Sequence, residues 1–167
     1  MNNQPVLDLP VSRRERILDM LALGLIAATW VLTLLYYPAL PDQIPTHFNA
    51  HGTVDSYGPK ITLFILPTLS LCFVLGLLYL TKIPHRFNYL VKITPENAAS
   101  EYLFARQILR YASVGIGLLF LEICWEIVRA VSGGPTQLSL LFWVIFMADM
   151  IALPALVLSR KKEKVQV

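Results

Sequence analysis

The chain has 167 residues, of which 56% are hydrophobic, and its mean hydropathy is +0.59. This composition is too apolar for a soluble domain of that length and is typical of a protein dissolved in a lipid bilayer. The formal charge of +3 does not indicate nucleic-acid binding, because nearly all the basic residues lie at the edges of apolar segments. Cys72 and Cys124 fall inside apolar segments, which excludes a disulfide framework or a thiolate metal cluster. We therefore predict a single membrane domain over residues 1–167.

Four apolar stretches predict transmembrane helices, because a bilayer core about 30 Å thick needs about 20 apolar residues to cross it. The first stretch is longer than that of a signal peptide and is not followed by a small-residue cleavage site, so we expect it to remain as a helix. The predicted fold class is an all-α, up-down bundle of four transmembrane helices joined by an ordered external loop at 38–60 and a cytoplasmic loop at 82–107. The predicted helices cover approximately residues 17–37, 61–80, 108–131 and 138–158.

Lysine and arginine predict the orientation of these helices, because cytoplasmic loops are enriched in both residue types. All lysines and arginines except Lys60 and Arg129 fall in segments that would lie on the same side of the membrane. We therefore expect a multi-pass protein of the bacterial cytoplasmic (inner) membrane, with both termini in the cytoplasm and the 38–60 loop outside. The residues on the cytoplasmic side are Arg13, Arg14, Arg16, Lys82, Arg86, Lys92, Arg106, Arg110, Arg160, Lys161, Lys162 and Lys164.

The start of the third helix is predicted by Thr94-Pro95-Glu96, which supplies a capping hydroxyl, a proline at the first helical position and an early acidic residue. A helix from Pro95 to Val131 would be about 55 Å long at about 1.5 Å per residue. We therefore expect this helix either to extend beyond the membrane or to bend near Arg106 to Arg110.

The external loop is dense in turn-forming residues and in chemically capable side chains. A connection between two helices needs only a few residues, so a loop as long as 38–60 is expected to be ordered or functional. Pro38, Pro41 and Pro45 stiffen its first half, whereas Gly52 and Gly58 permit sharp turns in its second half.

The same loop carries a long motif, LPxxIPxHFNxxGxxDxxGxK, filled here by Leu40, Pro41, Ile44, Pro45, His47, Phe48, Asn49, Gly52, Asp55, Gly58 and Lys60. This motif resembles that of a bacterial membrane family, domain of unknown function 1648, which also forms the N-terminal part of the longer SdpI-like toxin-immunity proteins. A second similarity lies in the middle loop, over Phe87-Asn88-Tyr89 and residues 92–97. The resemblance covers roughly residues 20 to 130. It implies a membrane fold without an established reaction and, through SdpI-like proteins, protection against a secreted peptide toxin or sensing of it.

His47 and His51 raise the question of a metal site. Their spacing of four residues would place both imidazoles on one face of a helix, where they would suit a divalent metal such as zinc. The alternative is that His47 is a structural residue hydrogen-bonded to Asp55 or Asn49 and that His51 is solvated. The sequence leaves both interpretations open.

Three acidic residues, Glu122, Glu126 and Asp149, lie within predicted membrane helices. An acidic residue in hydrocarbon costs about 2.5 to 3.5 kcal/mol on insertion scales, so we expect all three to face the bundle interior. Counted from the outer helix ends, Glu122 and Asp149 reach a similar depth, so that they could meet below the external loop and share a proton or bind a cation. A structural interpretation pairs Glu126 with Arg129, three residues later, and leaves Glu122 and Asp149 protonated and hydrogen-bonded between helices. The alternatives are that the acids and the loop form a cavity for a cationic peptide or metal, or that the acids serve catalysis or proton-coupled transport.

These features predict a membrane protein that binds an extracellular peptide or amphiphile and serves in envelope protection, immunity or sensing. The alternative is a metal-binding membrane enzyme or small transporter that uses His47 and the intramembrane acids, although no P-loop, nucleophile elbow or HExxH motif supports an enzyme. The expected partner is the lipid bilayer, and a homo-oligomer through Gly24, Ala28 and Gly115 is left open. The predicted ligand-binding residues are His47, Phe48, Asn49, Asp55, Lys60, Glu122, Glu126 and Asp149.

Overall fold

A computed structural model describes residues 4–165, with side chains described for residues 4–159. The predicted basic tail, Arg160 to Lys164, therefore lies outside the described side chains. In chain order the elements are α1 (Arg13–Tyr36), a 3₁₀ turn (Tyr37–Ala39), β1 (Gln43–Phe48), β2 (Val54–Pro59), a 3₁₀ turn (Lys60–Phe64), α2 (Ile65–Leu80), a 3₁₀ turn (Pro84–Arg86), α3 (Ala98–Val131), α4 (Leu140–Met147), a π-helical segment (Ala148–Ala152) and α5 (Leu153–Val165).

Three helical segments are long and apolar enough to cross a membrane, namely Arg13–Ala39, Lys60–Leu80 and Leu140–Ser159. Most of their large apolar side chains are exposed on the outside of the bundle. Exposed apolar surface of this extent would be unfavourable in water and is expected against lipid. The chain is thus a mainly helical protein with membrane-spanning helices.

The helix α3 is the longest element and lies at the centre of the bundle. It spans 34 residues without interruption, which corresponds to about 50 Å at about 1.5 Å per residue. It packs against α1, α2 and the last helical run. The third predicted span, residues 108–131, lies within α3, which carries more charged residues than the other three spans.

The helix α3 begins three residues later than predicted, with Asn97 as its N-cap. The amide of Thr94 donates to the Asn97 side-chain oxygen over 2.8 Å, and the Thr94 carbonyl accepts from the Ala98 amide over 2.9 Å. Because Asn97 folds back onto Thr94, residues 94–97 form a turn that precedes the helix.

Buried ion pairs join α1 to the first half of α3. Arg110 binds Glu15 through Nη1 at 2.8 Å and Asp19 through Nε at 2.7 Å, while Arg106 Nη2 lies 3.0 Å from Glu15. Both arginines are buried. They were predicted as loop-edge residues that set the topology, whereas in the structure they are internal ion-pair partners.

The segment before α1 is held against the same part of α3. Ser12 and Glu15 form a reciprocal capping box at the start of α1. Upstream, the Tyr102 hydroxyl donates to the Pro5 carbonyl and Arg106 Nη1 donates to the Leu9 carbonyl, each over 2.9 Å. Glu15 therefore serves the helix start and the ion-pair cluster at once.

The external loop forms an antiparallel β-hairpin, so the all-α prediction is wrong for this segment. The strands β1 and β2 pair from Gln43 opposite Pro59 to Phe48 opposite Val54, with irregular register around His47. The closely spaced prolines of the loop disfavour a helix, because each removes a backbone donor. The loop is ordered, as predicted, and Ile44 is fully buried against the ends of the helices.

The ion-pair cluster yields a first prediction. Replacement of Arg110 by leucine leaves the Asp19 carboxylate without its partner and weakens the compensation of Glu15, so we expect a loss of about 3 kcal/mol in stability. Thermal unfolding of the purified chain in detergent measures this change as a lower Tm. Arg86→Leu is the control, because Arg86 is exposed and its replacement should leave Tm almost unchanged. Equal Tm values for the two variants would contradict the assigned role.

Candidate functional site

The hairpin is fixed to the connection between α3 and α4 by backbone hydrogen bonds. The Leu138 amide donates to the Gly52 carbonyl over 2.8 Å, and the Val54 amide donates to the Thr136 carbonyl over 3.0 Å. Gly52 has a φ of +75°, and a Cβ atom there would lie 3.3 Å from both Leu138 and Trp143. The turn of the hairpin therefore fits closely over the start of the last helical run.

His47 and Asp55 form a hydrogen-bonded pair on the exposed side of the hairpin. His47 Nδ1 lies 2.6 Å from Asp55 Oδ1, and the two side chains are 66% and 41% exposed. This is one of the partners predicted for a structural His47. Since the bond occupies Nδ1, a metal ion would have to bind at Nε2.

Asn49 organises the hairpin turn. Its side-chain oxygen accepts from the His51 amide over 2.9 Å and from the Thr53 amide over 3.1 Å. His51 is exposed in this turn, whereas His47 lies in β1, so the one-turn helical arrangement predicted for the two histidines does not form. Within residues 4–159, no group of three or more His, Cys, Asp or Glu side chains is placed to hold a metal ion.

Lys60 closes the base of the hairpin. Its ammonium group donates to the Leu40 carbonyl over 3.2 Å, lies 3.6 Å from the Asp42 carboxylate and stands 5.6 Å from the centre of the Tyr37 ring. These contacts tie the beginning of the loop to its end. In the structure Lys60 is therefore a residue that positions the hairpin.

Glu122 and Glu126 hold the N-terminus of α4. Ser139 caps this helix, its hydroxyl donates to Glu122 over 2.7 Å, and its amide donates to Glu126 over 3.0 Å. Glu126 is almost fully buried and accepts a hydrogen bond from Arg129, which confirms the predicted pair. Negative charge at a helix N-terminus is favoured by the helix dipole. The two carboxylates thus fasten α4 to α3.

The predicted meeting of Glu122 with Asp149 is wrong. Asp149 lies against Gly115, which is about 10 Å along α3 from Glu122 at about 1.5 Å per residue. The reason is the path of residues 132–139, which turn back along α3 and start α4 beside Glu122 rather than at the end of α3. Equal counting from both helix ends therefore misplaces the two acids relative to each other.

A cavity of about 390 Å³ lies between the hairpin and the ends of α2, α3 and α4. Its walls are mainly apolar, and His47 and Thr46 supply the polar groups on the hairpin side. Of the predicted ligand-binding residues, His47 and Phe48 line it. Asn49, Asp55, Lys60, Glu122 and Glu126 hold the elements around it, and Asp149 lies elsewhere. Its other walls include Ile44, Leu66, Ile123, Ile127, Leu138 and Phe142.

Several of these wall residues are absent from the sequence prediction. Ile123 lies in α3, Leu138 just before α4 and Phe142 in the first turn of α4, and all three are ordinary apolar residues. Their composition carries no functional signal, and only the docking of the hairpin brings them to the cavity. A weak clue in the sequence was the motif residue Gly52, because a glycine in a loop often marks a positive φ or a close approach to other atoms.

The fit of the hairpin turn gives a second prediction. Gly52→Ala should lower Tm more than Gly133→Ala, because both positions have positive φ but only the Cβ at 52 would press on Leu138 and Trp143. The shared backbone cost is about 1 kcal/mol, which Gly133→Ala reports alone. Thermal unfolding of the two purified variants makes the comparison. Identical losses of Tm in the two variants would refute the close fit of the turn.

Residues 24–71, which include the hairpin, match the family described as Domain of unknown function (DUF1648). An uncharacterized protein of the archaeon Archaeoglobus fulgidus is 40% identical over 60 residues, which cover 36% of this chain and 33% of that protein. The matched region thus spans about a third of that curated relative. No solved structure matches the chain significantly. The similarity to this domain of unknown function, predicted from the loop motif, is confirmed over residues 24–71.

Proposed function

We propose that the chain is a multi-pass membrane protein that binds an apolar or amphiphilic ligand, such as the hydrophobic side of a secreted peptide, beneath its hairpin. The observation that carries this proposal is the cavity of about 390 Å³ between the hairpin and the helix ends. Its size and its apolar walls with a few polar groups are those of small-ligand sites in general. Phe48 and Phe142 offer it aromatic contact area.

The charges around the hairpin favour a cationic amphiphile. Asp42 is 98% exposed at the hairpin base, and Asp55 is 41% exposed on β2. Basic groups of a bound peptide would face these carboxylates, while its apolar side chains enter the cavity. Complementary charge of this kind increases the rate of encounter more than the final affinity.

The proposed topology has four spans, with α3 as the span that the apolar criterion does not include. The exposed basic residues Arg13, Arg14, Arg16 and Lys82 lie near the helix ends away from the hairpin. The positive-inside rule then assigns both termini to the cytoplasm and the hairpin to the outside of a bacterial cytoplasmic membrane. Because Arg106 and Arg110 are buried in ion pairs, the assignment rests on the other basic residues.

The biological role proposed for this binding is protection of the envelope against a secreted peptide, or sensing of that peptide. The support is the outward position proposed for the cavity together with the resemblance of the loop motif to SdpI-like immunity proteins. A rigid hairpin over an apolar cavity would sequester the membrane-active face of such a peptide.

A metal-binding membrane enzyme or small transporter is the second candidate. The observation in its favour is the His47–Asp55 pair, because a carboxylate bonded to one imidazole nitrogen is the usual support of a metal-ligating histidine. His47 would then be the first ligand, with the remaining ligands supplied by water or by the substrate.

The topology gives a third prediction. In a Cys72→Ser, Cys124→Ser background, Ala50→Cys should react with a membrane-impermeant thiol reagent in intact cells, whereas Glu96→Cys should react only after lysis. Both positions are exposed, so accessibility alone does not separate them. Labelling of Glu96→Cys but not Ala50→Cys in intact cells would invert the proposed orientation.

Ligand binding gives a fourth prediction, measured by fluorescence anisotropy of a labelled cationic amphipathic helical peptide added to the chain in nanodiscs. Phe48→Ala removes an aromatic wall of the cavity and should weaken binding by about 2 kcal/mol, which is about thirtyfold in Kd. Tyr57→Ala is the matched control, because Tyr57 is an exposed aromatic residue of the same hairpin and is not among the cavity walls.

Equal effects of the two changes would place binding outside the cavity. The metal candidate predicts a different pattern, in which elemental analysis finds a bound metal that His47→Ala removes. Phe48→Ala should then leave the metal content unchanged.

A further inference from the structure

Asp149 is the one ionisable side chain between residues 140 and 159. It lies in the π-helical segment Ala148–Ala152, which interrupts an otherwise α-helical run. A π-helical turn is rare and is frequently found at functional sites, where it changes the direction of a side chain. An acidic residue within a membrane helix is costly and is commonly retained for a function.

The Asp149 side chain occupies space that Gly115 leaves open on α3. A Cβ atom added at residue 115 would overlap the Asp149 carboxyl group. Gly24 and Gly76, by contrast, have no heavy atom within 4 Å of such an added Cβ. Because Gly115 has no side chain, the Asp149 carboxyl group can pack directly against α3 at this position.

Among the side chains of residues 4–159, no counter-charge is bonded to Asp149. Its Oδ2 atom is buried and has no hydrogen-bond partner among the described residues. On α3, which packs against this segment, residues 112–121 include no ionisable side chain. The nearest ones are Tyr111, which accepts a hydrogen bond from Arg14, and Glu122, which is bound to Ser139. With one oxygen buried and unpartnered, an ionised carboxylate is far more unfavourable in this position than a neutral carboxyl group, for which an unpaired hydroxyl costs about 1–3 kcal/mol.

We propose that Asp149 is an intramembrane proton-binding site, whose neutral carboxyl group holds the last helical run against Gly115 and whose deprotonation releases this contact. The proton goes to or comes from water that reaches the opened interface. A metal ion would be bound less well than a proton at this position, because hard cations require about six oxygen ligands. The one hydroxyl group on residues 112–121, that of Ser113, already donates to the Leu109 carbonyl.

When the Asp149 contact is released, the start of α4 serves as the fixed point about which the last helical run can move. The start of α4 is held independently by the contacts of Ser139 with Glu122 and Glu126. The last helical run is otherwise poorly buried, so loss of the Asp149 contact frees its far half while its hairpin end stays attached. This site does not depend on ligand binding beneath the hairpin, and the two proposals can fail separately.

The first test is steric and uses thermal unfolding of the full chain in detergent at acidic pH. Gly115→Ala should lower Tm in the natural sequence but have little effect in an Asp149→Ala background, where the space has been vacated. Gly76→Ala is the control and should be nearly silent in both backgrounds. Equal losses from Gly115→Ala in both backgrounds would overturn the contact.

The second test addresses the proton. Infrared spectra of the chain in nanodiscs, recorded over a pH series, should contain a protonated-carboxyl stretching band that disappears as the pH rises and that is absent in Asp149→Asn. Glu122→Gln should retain the band. Because the protonated form makes the contact, Tm should fall with rising pH in the natural chain and less so in Asp149→Asn. A band that survives Asp149→Asn, or identical pH dependence of Tm in both proteins, would overturn the proposal.

Discussion

A polar group inside an apolar bundle must find its partner within the chain, and in this protein α3 supplies most of those partners. Near its start, Arg106 and Arg110 neutralise the acids of α1. Near its end, Glu122 and Glu126 bind the cap of α4. The long helix with the most charged residues therefore determines where the others lie, because unpaired charge in hydrocarbon is far more costly than an imperfect apolar contact.

The hairpin depends on the same arrangement. Its turn is bonded to the connection that follows α3, and that connection is fixed by Ser139 and its two glutamates. The cavity lies between the helix ends and the hairpin, and polar contacts outside it thus determine the positions of its walls. Its apolar lining needs only the right size and shape, which explains why polar residues of the motif act mainly as supports.

The sequence was informative where a single segment determines the outcome. Apolar length correctly predicted three segments that are long and apolar enough to cross a membrane. The spacing of Glu126 and Arg129 predicted their pairing. It was less informative where two distant segments meet. The hairpin was predicted as an ordered loop without its strands. The position of Asp149 relative to Glu122 was misjudged, because the turn at Gly133-Gly134-Pro135 does not reveal that the chain runs back along α3. The Arg106–Arg110 cluster was missed, although Glu15 and Asp19 have the same four-residue spacing as the two arginines and could have indicated complementary helix faces.

The ion-pair cluster also constrains the order of assembly during synthesis. Asp19 and Glu15 are translated 91 and 95 residues before Arg110, so α1 and α2 emerge from the ribosome while both acids still lack their guanidinium partners. The first helical pair must therefore keep these carboxylates at the water interface, and the bundle can close only after α3 arrives. Membrane insertion of the early helices and completion of their packing are thereby separate events. The packing is completed only when the third helix has been synthesised.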